Sequence, residues 1–184
     1  MDGNMDGKAD SVPENGGPPP KVFTEGDLVV YPNHGAGYVS GIEEKTVLGE
    51  ERRYYVVYVP EGALTLNIPA DGDMGLRSCA DAKGVAAALK VLRGSAEEMP
   101  EHWNHRLKHN QEKLRSGEIS SVAEVVRDLS DYSGEHGLST GERNLLAKAR
   151  RILVSEVAMG KDLDVEEAEA LVDGALRKEK KGSK

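Results

Sequence analysis

The spacing of apolar residues changes once along this chain. From Lys21 to about Ala70 they recur near every second position, and β-formers dominate. The stretches "DLVVY", "AGYVSGIEE", "RRYYVVYV" and "ALTLNIP" read as strands. Between them "PNHGAG", "KTVLGEE" and "PEGA" supply the Gly and Pro that turns use. Four or five short strands in this span predict a small, strongly bent sheet or SH3-like barrel. A domain of that size is marginal alone, so packing against a neighbour is expected. Residues 71–80, "DGDMGLRSCA", read as a connection.

After residue 80 the period becomes helical. "DAKGVAAALKVLRG" places Val85, Ala88, Leu89 and Leu92 on one face, with Gly94 as the stop. A second helix has Pro100 near its first turn and runs to Ser116-Gly117. "SSVAEVVRDLSDY" carries Val122, Val125, Val126, Leu129 and Tyr132 at helical spacing, with a capping box expected between Ser121 and Glu124, and "GEHG" is expected to end it. "LSTGERNLLAKARRILVSEVAMG" repeats the device with Ser139 and Glu142. Its stripe is Leu145, Leu146, Ala149, Ile152 and Leu153. "DVEEAEALVDGAL" offers Asp164 with Glu167, then Ala168, Leu171, Val172 and Leu176. No internal repeat is found. The expected class is α+β: a β domain over residues 22–72 and a compact all-α domain over 80–178. Residues 1–21, acidic and rich in Gly and Pro, read as a disordered tail, and 179–184 as a frayed one.

Composition narrows the functional classes. Five of the six tyrosines precede residue 60, so the first core is aromatic and the second is built from Leu, Val and Ala. The single cysteine, Cys79, has no internal disulfide partner, which suits a reducing cytosol. The polar N-terminus is no signal peptide, and no run approaches the roughly 20 apolar residues of a membrane span. A formal net charge of −8 argues against coating nucleic acid by bulk charge, though not against a small local contact.

Enzyme chemistry finds little support. His102, His105 and His109 share a helix face, with Glu98, Glu101 and Glu112 in range, yet no HExxH or CxxC frames them. Solvated surface histidines are the favoured reading, and no metal or cofactor is expected. "PNHGAG" lacks the GKS/T ending of a phosphate loop and reads as a turn using Gly35 and Gly37. "ADGDMG" has too few ligands for a calcium loop. Cys79 has no nearby base and reads as an inert thiol.

Basic residues are more telling. Arg143, Lys148, Arg150 and Arg151 crowd "GERNLLAKARR", with Arg143 in the first turn, where a helix attracts anions. Arg106, Lys108, Lys113 and Arg115 crowd the helix of the lone tryptophan, Trp103. Leu107 and Leu114 fall within roughly 40° of Trp103 on a helical wheel. Two readings stand. One is a buried Trp-Leu-Leu stripe with snorkelling cations. The other is an apolar wedge among cations, of the kind that unstacks DNA from the minor groove.

The segments "GDLVVYPNHGAGYV", "EERRYYVVYV", "LTLNIPA", "WNHRLKHNQEKLRSGEISSVAEVVRDL" and "GLSTGERNLLAKARRILVSEVA" closely resemble the CarD/CdnL family of bacterial transcription regulators. The resemblance covers about residues 23–178. It implies a Tudor-like β domain, of a type shared with the transcription-repair coupling factor Mfd, that binds the β subunit of RNA polymerase. It implies a helical domain that reaches promoter DNA at the upstream edge of the melted −10 region. There a tryptophan enters the minor groove and slows collapse of the open complex, without catalysis. Carried onto this chain, the wedge falls on Trp103 and the DNA-contacting cations on Lys108 and Arg143, with Arg106 and Arg150 beside them. Polymerase contacts fall on Lys45, Val47, Thr65 and Asn67. Actinobacterial-type members typically have arginine where this chain has Asn67, which removes a possible ion pair with the β subunit. A monomeric cytoplasmic protein, held at the nucleoid through polymerase, is expected. An adaptor of polymerase that does not touch DNA is the alternative.

Overall fold

The computed structural model describes residues 21–72 and 74–177. The expected tails at 1–21 and 179–184 lie outside the described residues, apart from Lys21. The chain folds as an antiparallel five-stranded sheet followed by five helices, an α+β arrangement.

The strands are β1 (Leu28–Tyr31), β2 (Gly35–Val47), β3 (Glu50–Val59), β4 (Leu64–Pro69) and β5 (Arg77–Ser78), in the order β4-β3-β2-β1-β5. β1 to β4 form a meander joined by tight turns. β5 lies inside the expected connection. It has only two residues, too few to show a period, and it is recruited by pairing Val29 with Ser78 and Val30 with Arg77. The β2–β3 register shifts between Val39 and Gly41, and such a bulge bends the ribbon. Alternation in "RRYYVVYV" sends Tyr55, Val57 and Val59 inward, where they join Phe23, Val29, Val39 and Ile68. Phe23 meets Tyr55 edge-on at 5.7 Å.

The helices are α1 (Ala82–Arg93), α2 (Trp103–Ser116), α3 (Ile119–His136), α4 (Thr140–Lys161) and α5 (Val165–Leu176). Their apolar stripes meet in one core around Leu92, Val126, Leu129, Leu153 and Val157. Capping boxes form at Ser139–Glu142 and Asp164–Glu167. The box expected at Ser121–Glu124 does not form. α3 begins at Ile119, because Ile119 is buried and Gly117 turns the chain at φ 75° directly before it. Ser121 is therefore already inside the first turn. α3 also continues through Gly134 to His136, past the expected break. No helix among the described residues is long and apolar enough to cross a membrane.

The sheet rests on α4. Ala36 N–H donates to Ser155 Oγ at 3.1 Å. Gly35 sits at φ 93°, and a Cβ there would lie 2.8 Å from Ser155 Oγ, so the close approach needs glycine. Arg77 extends from β5 to Glu156, which is fully buried, with N–O distances of 2.6 and 2.8 Å. Arg77 also donates to the Gly117 carbonyl, and Glu156 accepts from Ala80 N–H at 2.9 Å. One carboxylate thus ties the sheet edge, the α2–α3 turn and α4 together.

Candidate functional site

Trp103 opens α2 and is 57% exposed. The buried-stripe reading of its position is overturned. Leu107 is half-buried and Leu114 buried, so the stripe begins one turn after the tryptophan. The cause is position: a first-turn side chain projects beyond the end of the helix pair. The α2 N-terminus is capped by His102, whose side chain makes no capping bond.

The cations expected to contact DNA divide into two kinds. Arg106 is a correction to the expected DNA-contacting set. It is 4% exposed, its Nε donates to Glu142 at 2.6 Å, and its Nη1 donates to the carbonyls of Pro100 and Glu101 at 3.0 and 2.8 Å. Its guanidinium also lies 4.0 Å over the Tyr132 ring. With these donors engaged it holds α2 against α4 and has no face toward solvent. Glu142 is itself fully buried. Burial alone would raise its carboxyl, but bonds from Ser139 and Arg106 outweigh that and hold it below the usual range. Lys108 is exposed and has no partner among the described residues. Arg143 is exposed, its guanidinium donating to the Leu138 carbonyl at 2.7 Å and Thr140 Oγ1 at 3.0 Å. These bonds hold its charge beside the α4 N-terminus. Arg150 is paired with Asp173 at 2.5 Å and is therefore partly neutralised.

Leu107 packs on Gly141, and Arg106 bonds the next residue, Glu142. The start of α2 thus lies beside the start of α4. Trp103, Lys108 and Arg143 belong to this shared helix-start end of the domain.

His102 and His105 have ring centroids 5.8 Å apart. Among the described residues, no group of three His, Cys, Asp or Glu side chains is placed to hold a metal ion. Burial, and then the Glu156 charge, push the Cys79 thiol up to about 11, which keeps it protonated and unreactive.

On the sheet, Lys45, Val47, Thr65 and Asn67 share the face turned away from the core. The register makes this plain: Lys45 pairs with Arg52, Thr65 with Tyr58, and Asn67 with Val56. Lys45 Nζ donates to Asn67 Oδ1 at 2.9 Å and meets Glu43 at 2.9 Å. It also lies 5.8 Å from the Tyr54 ring centroid. Tyr38 and Tyr58 stand on the same face with centroids 5.6 Å apart. These tyrosines were not singled out from sequence, although the alternation that buries Tyr55 places Tyr54 and Tyr58 outward. Among the described residues β4 ends the sheet and pairs only with β3, so its other edge is unpaired within the sheet.

Two family models match, in the order of the two structural regions. Residues 23–77 match the CarD-like/TRCF RID domain, and residues 87–173 match the CarD C-terminal domain. The chain is 33% identical over 144 residues to a candidate transcription factor, YdeB, of Bacillus subtilis (strain 168), covering 77% of this chain and 94% of that protein. The chain belongs to the CarD family of transcription regulators. The sheet is then the RID-type domain, a kind involved in RNA polymerase interaction. The exposed tryptophan lies just ahead of α3 and α4, inside the CarD C-terminal match.

Proposed function

We propose that this CarD-family chain is a non-enzymatic regulator that grips RNA polymerase with its sheet and promoter DNA with its helices. The sheet face of Lys45, Val47, Thr65 and Asn67 and the free β4 edge take the polymerase β subunit. An unpaired edge adds a strand to a partner sheet, and side chains beside it give specificity. Trp103 enters the minor groove at the upstream edge of the −10 bubble, with Lys108 and Arg143 on flanking phosphates. Bound polymerase supplies effective concentration, so a net-acidic protein touches DNA with few cations.

The observation that carries this reading is the 57% exposure of Trp103 at the start of α2, the helix that also carries the exposed Lys108. A solvated indole there adds little to the fold and is available to unstack a base step. Trp103→Ala is expected to leave the melting temperature and polymerase binding unchanged. It should shorten competitor-challenged open-complex lifetimes by about tenfold, for a wedge contribution of about 1.4 kcal/mol. An unchanged lifetime, with no change in the footprint near −10 and polymerase binding intact, would leave an adaptor that does not touch DNA.

A further inference from the structure

The helix-start end of the domain continues into a groove that neither the sequence motifs nor the wedge reading uses. α2 and α4 run side by side in the same direction from the Leu107–Gly141 contact. A hollow of about 400 Å³ opens between them, lined by Gln111, Leu114 and Arg115 of α2, by Asn144, Leu145 and Lys148 of α4, and by Asn33 of the β1–β2 turn. Among the described residues no carboxylate lines it, in a chain of net charge −8. Glu112 of α2 stays outside the lining. Arg115 is exposed and has no partner among the described residues. Lys148 Nζ is steadied by Asn33 Oδ1 at 3.1 Å. That bond uses one ammonium N–H and leaves two to donate elsewhere. Lys148 and Asn33 also line a neighbouring hollow that holds Glu61 and Arg151, so the carboxylate-free groove ends at Lys148.

The groove has a floor of Leu114 and Leu145, two cations on opposite walls, and three amide side chains. Polar amides with Lys and Arg are the groups that hold phosphodiester oxygens without reading bases. A duplex that follows α2 from the wedge meets the groove at a set spacing. Arg115 lies twelve residues after Trp103 on one helix, roughly 18 Å along its axis. At 3.4 Å per nucleotide along one strand, that is about five base-pair steps.

We propose that the α2–α4 groove holds the phosphate backbone of promoter DNA through Arg115 and Lys148, about five base pairs from the step that Trp103 enters. The proposal rests on the DNA reading above and extends it from a point contact to a track. The groove fixes the direction in which the duplex leaves the wedge.

The test uses the full chain in the polymerase–promoter complex. Open-complex lifetime is measured over a salt series for the wild type, for Arg115→Gln with Lys148→Gln, for Arg115→Lys with Lys148→Arg, and for Trp103→Ala. Two lost phosphate contacts should flatten the dependence of log lifetime on log salt, by at most about 1.8, the full equilibrium share of two contacts. The charge-conserving pair should keep the wild-type slope. An unchanged slope in the glutamine pair, while Trp103→Ala still shortens the lifetime, overturns the groove and leaves the wedge standing. If neither variant moves the lifetime, both readings fall. Should the glutamine pair lose polymerase binding in the absence of DNA, the occupant is an acidic protein segment and the DNA assignment is overturned.

Discussion

Arg106 and Glu142 face each other across α2 and α4, 5% and 0% exposed at their side chains, with a 2.6 Å bond between them. Removing one member of such a pair leaves the other buried without a counter-charge. Arg106→Ala is therefore expected to cost about 3–5 kcal/mol of stability by denaturant unfolding. A DNA-contacting arginine on the surface would cost almost nothing in that measurement. Glu142 adds a pH signature. Its folded carboxyl is held below the ordinary 4.5, so its contribution is fully present above that value and is lost as pH falls through the lower folded value. The stability gap between wild type and Glu142→Gln should be constant near neutrality and close in acid. A gap that persists unchanged in acid would mean that the carboxylate charge is not what stabilises the contact. The sequence reading went astray here for a physical reason. Arg106 and Lys108 look alike in "WNHRLKHN", and what separates them is a carboxylate 36 residues away.

Among elements, the helices were the most legible. A 3.6-residue period, Ser or Asp at the start and Glu three residues later carry most of what a helix needs locally. The boxes at Ser139 and Asp164 duly form. The one at Ser121 fails because burial of Ile119 sets the start of α3 earlier than local capping would. The β2–β3 hairpin shows a different conflict. Val47 pairs with Glu50, closing a two-residue turn of Leu48 and Gly49 at φ 55° and 85°. Turns with both central residues at positive φ favour Asn-Gly, and a left-handed non-glycine residue costs about 1–2 kcal/mol. Leu48 is moreover 100% exposed, so it gains no burial among the described residues. If the sheet takes polymerase as proposed, this strained tip places an apolar side chain where it can join that contact. Leu48→Asn is expected to stabilise the fold by about 1 kcal/mol in urea unfolding, since Asn tolerates the left-handed region, and to weaken polymerase binding. Tighter or unchanged binding would show that the hairpin tip takes no part in the interface.

For the molecule as a whole, the proposed function makes the relation between sheet and helices decide whether two weak grips act as one. That relation was the least legible feature of the sequence, because its bonds join Ala36 to Ser155 and Arg77 to Glu156 across long separations, and β5 is too short to announce itself. Glu156 holds Arg77 and the Ala80 N–H, while Arg77 holds the Gly117 carbonyl directly ahead of α3. The sheet edge is thereby fixed to the body that carries Trp103. A rigid span concentrates the tryptophan where polymerase places the promoter, and a loose span dilutes it over a larger volume. Glu156→Gln leaves the Arg77 charge without its partner. Arg77 keeps 22% side-chain exposure, so the expected cost is about 3 kcal/mol, at the lower end for a broken buried pair. Polymerase binding by the sheet should survive at temperatures where the variant remains folded, while the open-complex lifetime shortens. A double-mutant cycle separates this from a general loss of function. If the junction acts by placing Trp103, Glu156→Gln shortens the lifetime in the wild-type background and adds nothing in Trp103→Ala. An equal shortening in both backgrounds would mean that the junction serves the complex through some route other than the tryptophan.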